Sequence, residues 1–350
     1  MLFTMRQNFE AQVSGIVLGQ NVRFELTREF HIDTIIVRAK PNQTGLMATD
    51  GPDQIQNIVQ KISLSVNNSA STRNVVDASG PALLELCHQQ VGRLDRETET
   101  HVNTDTVAAK VLNYPIFFAH PQIQDPIASS FMLPAPSYSS NPILTVQVAT
   151  QAQMDMNNAA PTFAVTTFTM DCIVIRRFVN IPNFPIFETE LAEITTAYPN
   201  AGSNQRYEMQ IPGSYTGFLL RDYLSIGVPG NPGTAASRGD ISTGGFDGSG
   251  EHRLQLLGVV FRRFKNAHVQ VLNDYSKTSA TNFTGSFYLD FITDKVGEVG
   301  SDLGSVLDAN VTAGSGARVE LMQDIAGGVG VTRKYVTHRV FGDLSQAKRA

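Results

Sequence analysis

The sequence predicts an all-β protein of two consecutive domains, and three observations carry that expectation. The chain has 350 residues, beyond the size at which a single core keeps growing. Phe163 to Phe178, read FAVTTFTMDCIVIRRF, alternates and is rich in β-branched residues, so it forms a long strand. Pro182 and Pro185 follow within VNIPNFPIFE, residues 179–188, where each removes a backbone donor and favours extended chain. The domain plan is therefore 1–178 for the first unit with its N-terminal segment, 179–188 for a stiff linker, and 189–350 for the second unit.

Within the central strand, Ala164, Thr166, Phe168, Met170, Cys172, Val174 and Arg176 share one side. That side is apolar until it ends at Arg176 and is the expected core face. Ahead of it, Phe3, Met5, Phe9, Val13, Ile16 and Val17 fall partly at helix spacing, so the first dozen residues read either as a short amphipathic helix before a strand or as a frayed terminus. Strands follow at 21–28, 30–39 and 58–66, the last closed by the turn residues Asn67, Asn68 and Ser69. One helix is predicted next. Ser79 caps it, Pro81 lies in its first turn, and Leu83, Leu84, Cys87, Val91 and Leu94 form its stripe. Residues 107–118 read as a strand, with Ala108, Ala109 and Val111 keeping a helix in view. Residues 120–142 hold five prolines and a single charge, Asp125. They read as a rigid loop presenting Phe131, Met132 and Leu133 to solvent or a partner. A short strand at 143–148 leads to the central one.

The second half repeats this grammar, with strands expected at 206–211, 217–228, 252–261, 267–273, 283–292, 317–322 and 331–341, and a weaker one at 299–306. The strands 252–261 and 267–273 are expected to hinge at Arg262 to Asn266. Between Gly227 and Gly250 lie eight glycines, the mark of a projecting loop without a core. Short strands at this spacing, seven or eight to each half, read as sandwiches or barrels.

Charged residues are only 17% of the chain and the formal net charge is −5. No Lys/Arg-rich tail exists, so a sequence-specific or electrostatic grip on nucleic acid is not expected. Arg176-Arg177 and Arg262-Arg263-Lys265 are read as strand-end or interface charges. No basic start precedes an apolar run at Met1–Phe9, so no signal peptide is read there, and no apolar stretch is long enough to span a membrane. Cys87 and Cys172 sit among apolar residues and read as buried free thiols, with a bridge left open.

The motifs of chemistry are missing. His31, His88, His101, His120, His252, His268 and His338 form no metal-binding spacing, and neither a nucleophile elbow nor a phosphate loop is present. Asp171 and Asp290 could form a glycosidase pair, against which stands the absence of Trp; Asp171 is expected to pair with a neighbouring arginine or to meet the solvent edge. Arg238-Gly239-Asp240 reads as a chance match to a cell-attachment triplet. No catalytic, cofactor-binding or metal-binding residue is assigned, and the protein is not expected to be an enzyme.

The plan of elements resembles the double jelly-roll major capsid proteins of tailless icosahedral viruses that infect bacteria. Its most specific part is ISLSVNNSASTRNVVDASGPALLELCHQQVGRL, residues 62–94, where a strand, an Asn-rich turn and a helix are similar to the early part of that family's first jelly roll. The resemblance implies two eight-stranded jelly rolls with short accessory helices. It also implies a homotrimer that forms a pseudo-hexagonal tile of an icosahedral shell, made in the host cytoplasm and located in the virion. Implied partners are neighbouring trimers, minor capsid or vertex proteins, and an internal viral membrane touched by Met1–Phe9. A trimeric carbohydrate-binding spike or adhesin module and a two-domain β hydrolase are the alternatives.

Overall fold

A computed structural model describes residues 2–41, 43–44, 55–69, 71–91, 111–119, 131–154, 164–179, 186–198, 202–208, 214–225, 236–238, 251–256, 259–265, 286–290, 307–308, 319–325 and 331–341. The first half opens with β1 (Leu2–Ile16), β2 (Asn21–Glu25), β3 (His31–Lys40) and the short β4 (Gln43–Thr44). A hairpin of β5 (Val59–Asn68) and β6 (Ser71–Ala78) leads into helix α1 (Gly80–Val91). Then come β7 (Leu112–Phe117), β8 (Phe131–Met132), β9 (Ile143–Val148), the single turn α2 (Gln151–Met154), β10 (Ala164–Val165) and β11 (Phe168–Val179). The second half holds β12 (Phe187–Tyr198), β13 (Gly202–Glu208), β14 (Ser214–Ser225), β15 (Ala236–Arg238), β16 (Glu251–Leu256) and β17 (Val259–Lys265). It closes with β18 (Ser286–Asp290), β19 (Leu307–Asp308), β20 (Val319–Ile325) and β21 (Val331–Phe341).

The sheets repeat. In the first half one sheet runs β1-β11-β3-β7 and the other β6-β5-β9-β2. In the second half one runs β12-β21-β14, with β18 beside β14, and the other β13-β20-β16-β17. If the short strands β4, β8, β10, β15 and β19 are set aside, the described residues of each half hold eight. Numbered in chain order, both halves arrange these eight as 1-8-3-6 and 2-7-4-5. First and last strands lie side by side, and neighbours in sequence fall in opposite sheets except the fourth and fifth, which form a hairpin within one sheet; this is Greek-key connectivity. The chain thus has an all-β, double-jelly-roll-like fold. The described strands form open sheets and not the two closed eight-stranded barrels expected, and because β6 and β12 pair, a single sheet of the described residues runs through both halves.

The central strand behaves as its alternation requires. β11 lies between β1 and β3, antiparallel to both. Phe168, Met170, Cys172 and Val174 are buried on its inner face, alongside Ile35, Val37 and Ala39 of β3. Arg176 continues that face and is itself 1% exposed, held by donation from Nη1 to Thr27 Oγ1 at 2.5 Å. Its neighbour Arg177 points the other way and pairs with Asp33 at 2.7 Å.

Several expectations are corrected. The N-terminal segment is a strand of 15 residues, not a helix. Its register breaks between Gln7 and Ala11 and again between Val13 and Ile16. Each break resets the alternation and leaves apolar residues at spacings that imitate a helix. Gly15, at φ 70°, supplies the left-handed backbone the second break needs. The strand expected at 252–261 is divided between β16 and β17, and residues 262–265 of the expected hinge are strand, since β17 extends to Lys265 and pairs with β16 from Leu256↔Val259 to Glu251↔Lys265. Phe131, Met132 and Leu133 are 2%, 0% and 0% exposed: this chain covers them itself, through β12 and a bridge from Leu133 to Ile32. Strands at 71–78 and 187–198 were not foreseen. Val179, Phe187 and Glu188, assigned to the linker, are strand residues. The expected strands at 267–273 and 299–306, and most of the glycine-rich loop, lie outside the described residues.

Candidate functional site: the seam between the halves

Several long-range polar contacts gather where β12 meets the first half. β12 runs parallel to β8, pairing Phe187↔Phe131 and Glu188↔Met132, and then parallel to β6, pairing Leu191↔Val76 and Ala192↔Asp77. The rings of Phe131 and Phe187 meet edge to face at 6.1 Å, a favoured aromatic geometry. Leu191, Leu219 and Tyr288 of the second half belong to the hydrophobic core of the first.

Charge clamps both ends of this seam. At one end Glu188 forms an ion pair with Arg73 of β6 and accepts a hydrogen bond from the Tyr138 hydroxyl at 3.0 Å. Glu190 adds a second contact to Arg73 at 3.7 Å. Burial, and then the Glu188 carboxylate, push the Tyr138 phenol far above its ordinary range, so it remains a donor at every physiological pH. Arg28 fixes the backbone there by donating to the Tyr138 carbonyl at 2.6 Å.

At the other end stands α1. Every residue from Gly80 to Gln90 is buried, which explains its polar members: a helix enclosed all round must place Glu85, His88, Gln89 and Gln90 against something polar. Glu85 Oε2 lies 3.3 Å from Arg221 Nε of β14, both side chains being 1% exposed. The same guanidinium donates to Ser79 Oγ at 3.2 Å and lies 3.8 Å from Glu193. Glu193 Oε2 in turn accepts the Ser79 backbone N–H at 2.7 Å. A carboxylate from the second half therefore sits at the N-terminus of a helix of the first, where orphan N–H groups and the helix dipole favour negative charge. Farther along, Gln90 donates to the Tyr288 hydroxyl at 3.1 Å.

Two glycines permit these approaches. A Cβ on Gly80 would lie 2.1 Å from the Val59 carbonyl oxygen, and one on Gly217 would lie 2.7 Å from the Tyr288 hydroxyl oxygen. Where β6 and β12 diverge, an open polar pocket of about 260 Å³ is lined by Lys61, Asp77, Ser79, Glu193 and Thr195, with Gln60 and Gln147. Lys61 and Asp77 are paired across 2.7 Å.

This arrangement ties β12 and β14 to the first half. Among the described residues no group of His, Cys, Asp and Glu could hold a metal ion. Asp171 lies on β11 and Asp290 on β18, in different sheets, so they form no catalytic pair. Asp171 meets Lys40 at 2.5 Å and Gln12 at 2.7 Å in place of the expected arginine. Burial raises its pKa, but hydrogen bonds from Lys40 and Gln12 and the charges of Lys40 and Arg38 together hold it below the ordinary value. Asp33 moves the other way: burial raises it more than Arg177 lowers it. Cys87 and Cys172 are buried free thiols, and burial pushes Cys172 up to about 12. Arg238 ends β15, and the rest of its triplet lies outside the described residues. Of the histidines, His31 is depressed by burial, and His88 and His252 are buried.

The N-terminal residues expected to touch a membrane are strand residues paired with β11, from Leu2↔Val179 onward. No helix of the described residues is long and apolar enough to cross a membrane.

No family profile and no curated protein matches the chain. Solved structures do. A chain of the atomic structure of Sulfolobus Turreted Icosahedral Virus matches with a TM-score of 0.64 at 15% identity, covering 97% of this chain and 90% of that one. The major capsid protein P2 of bacteriophage PM2 matches with a TM-score of 0.59 at 9% identity, covering 98% of each chain. The Faustovirus major capsid protein gives 0.50 at 7% identity, over 97% of this chain and 90% of that one. The fold is that of viral major capsid proteins. The expected restriction to viruses of bacteria does not hold, since structures from the Sulfolobus virus and Faustovirus share the fold.

Proposed function

We propose that this protein is the major capsid protein of an icosahedral virus, a structural protein without catalysis. In this reading residues 1–178 and 189–350 form two eight-stranded jelly rolls, joined by 179–188, and three copies associate into a pseudo-hexagonal tile. The observation that carries it is the repeated strand order, 1-8-3-6 over 2-7-4-5, in both halves of one chain, together with end-to-end superposition on capsid proteins. A tile needs two similar bodies tied together, and the contacts of β12 and Arg221 with the first half are in keeping with that need.

Proposed partners are neighbouring tiles and minor or vertex proteins of the shell, with assembly in the host cytoplasm and residence in the virion. By the resemblance alone, the start of β1 is the proposed point nearest any internal lipid. Light scattering of the purified chain, with electron microscopy of the same fractions, tests the reading. A mass near three times 38.1 kDa, with hexagonal particles or shells, is expected. A monomer that never assembles across salt and pH would overturn it.

A further inference from the structure

One edge of β12 is paired along its length and the other runs out part-way. Along β21, every residue from Glu188 to Tyr198 has a partner. On the opposite edge β12 runs parallel first to β8 at Phe187 and Glu188, then to β6 at Leu191 and Ala192. Beyond Ala192 no further strand joins that edge among the described residues, because β6 ends at Ala78 and the chain turns into α1. Residues 193–198 therefore present a row of backbone donors and acceptors about 20 Å long, at roughly 3.3 Å per residue, with no strand beside it.

The open polar pocket lies at the start of this row. Glu193 and Thr195 of β12 line it together with Asp77 and Ser79, and Gln60, Lys61 and Gln147 complete it. Apart from Ala78, every lining residue is polar, which suits a polypeptide and not an apolar ligand. Gln60 Oε1 is shut off from solvent and accepts no hydrogen bond; a buried acceptor of this kind calls for a donor. In the lining, the carboxylates of Asp77 and Glu193 stand against the single ammonium of Lys61, which favours a donor that carries positive charge. The side chains of the Lys61–Asp77 pair are 48% and 39% exposed, so Asp77 can change partner at little cost.

We propose that this gap is a docking site for an extended segment of a second, different protein. About six residues of the segment add as a strand to β12 at 193–198, and a lysine or arginine at one end of it enters the pocket beside Asp77 and Gln60. The backbone row supplies affinity without regard to sequence, and the pocket selects the basic side chain. The segment continues on the same edge the row that β8 and β6 begin, so the existing seam sets its place. The inference needs neither the capsid reading nor any particular oligomer.

A phage-displayed library of random peptides of about nine residues, selected on the full chain, tests it. The selected peptides are expected to share one Lys or Arg position and to slow amide hydrogen exchange within 193–198. Asp77→Asn is expected to weaken them at least about tenfold. Thr195 is exposed, and Thr195→p-benzoylphenylalanine is expected to crosslink them. No enrichment over the unselected library would overturn the proposal, as would peptides indifferent to Asp77→Asn or binding that leaves exchange within 193–198 unchanged. If Asp77→Asn does not fold, the exchange and the Thr195 crosslink decide. Slow exchange there without peptide also overturns it: in dilute protein it marks a segment of the chain itself as the occupant, and where it grows with concentration, a second copy. A chain that fails the light-scattering test of the capsid reading leaves this result untouched.

Discussion

Replacing Arg221 with Met tests whether the seam is held by charge. The guanidinium contacts Glu85 at 3.3 Å, Ser79 at 3.2 Å and Glu193 at 3.8 Å, from a side chain only 1% exposed. Methionine keeps much of the length and removes the charge, leaving the Glu85 carboxylate, also 1% exposed, without its cation. Removing one partner of a buried ion pair costs about 3–5 kcal/mol, far above the ~0–1 kcal/mol of an exposed pair. At ~1.4 kcal/mol per tenfold, the unfolded fraction should rise more than about a hundredfold. Urea unfolding followed by circular dichroism measures it. The double variant Arg221→Met with Glu85→Leu should recover most of the loss, because the stranded carboxylate is then gone. A single variant within about 1 kcal/mol of wild type, or a double variant no better than the single, would refute the reasoning.

Gly80→Ala places a Cβ against backbone at 2.1 Å; overpacking of this kind costs about 1–3 kcal/mol or more, and the melting temperature should fall while Ser79→Ala, beside it, costs less. The Asp171 carboxyl has a folded pKa below its unfolded value, so its contribution is complete above roughly pH 4 and vanishes as pH falls through the folded pKa. Asp171→Asn should flatten the acid limb of the stability profile, with little change in its shape near pH 7. Asp33, whose pKa is raised, has the opposite sign: Asp33→Asn should remove a loss of stability that sets in as pH rises through the unfolded carboxylate range. Cys87 and Cys172 should ignore thiol reagents in the folded protein and react together on unfolding, since burial raises both and the thiolate is the reactive form. Rapid labelling of either native thiol would count against the packing described.

What the sequence revealed follows from which faces are apolar. β11 was legible because one side of it is Phe168, Met170, Cys172 and Val174, an unbroken period of two. β9 and β21 were found at their observed limits, Ile143–Val148 and Val331–Phe341, for the same reason. β12 was not found, because FETELAEITTAY spends its seam-facing side on Thr189, Glu193 and Thr195. Glutamates read as solvent until Arg221 and Ser79 are known to face them. The alternation of Thr189, Leu191, Glu193 and Thr195 was the available signal, hidden by expecting a linker through residue 188. The N-terminal strand failed differently, since two register shifts mixed its period. Element order suggested two similar halves, but strand order could not be seen, because pairing of β1 with β11 or β12 with β21 joins residues that no local pattern links.

The polar lining of α1 also bears on how the chain is made. In each half the first strand finds its partner only in the last, β1 with β11 and β12 with β21, so neither sheet sandwich can close until its final strand has left the ribosome. The first half completes while the second is still being synthesised, and domains generally fold as units from the N-terminus. During that interval α1 has no Arg221 or Tyr288 to meet. A helix lined with leucine on that side would be an adhesive surface on every nascent chain. One that presents Glu85 and Gln90 there can be hydrated while it waits, then exchanges water for the second half when that half arrives.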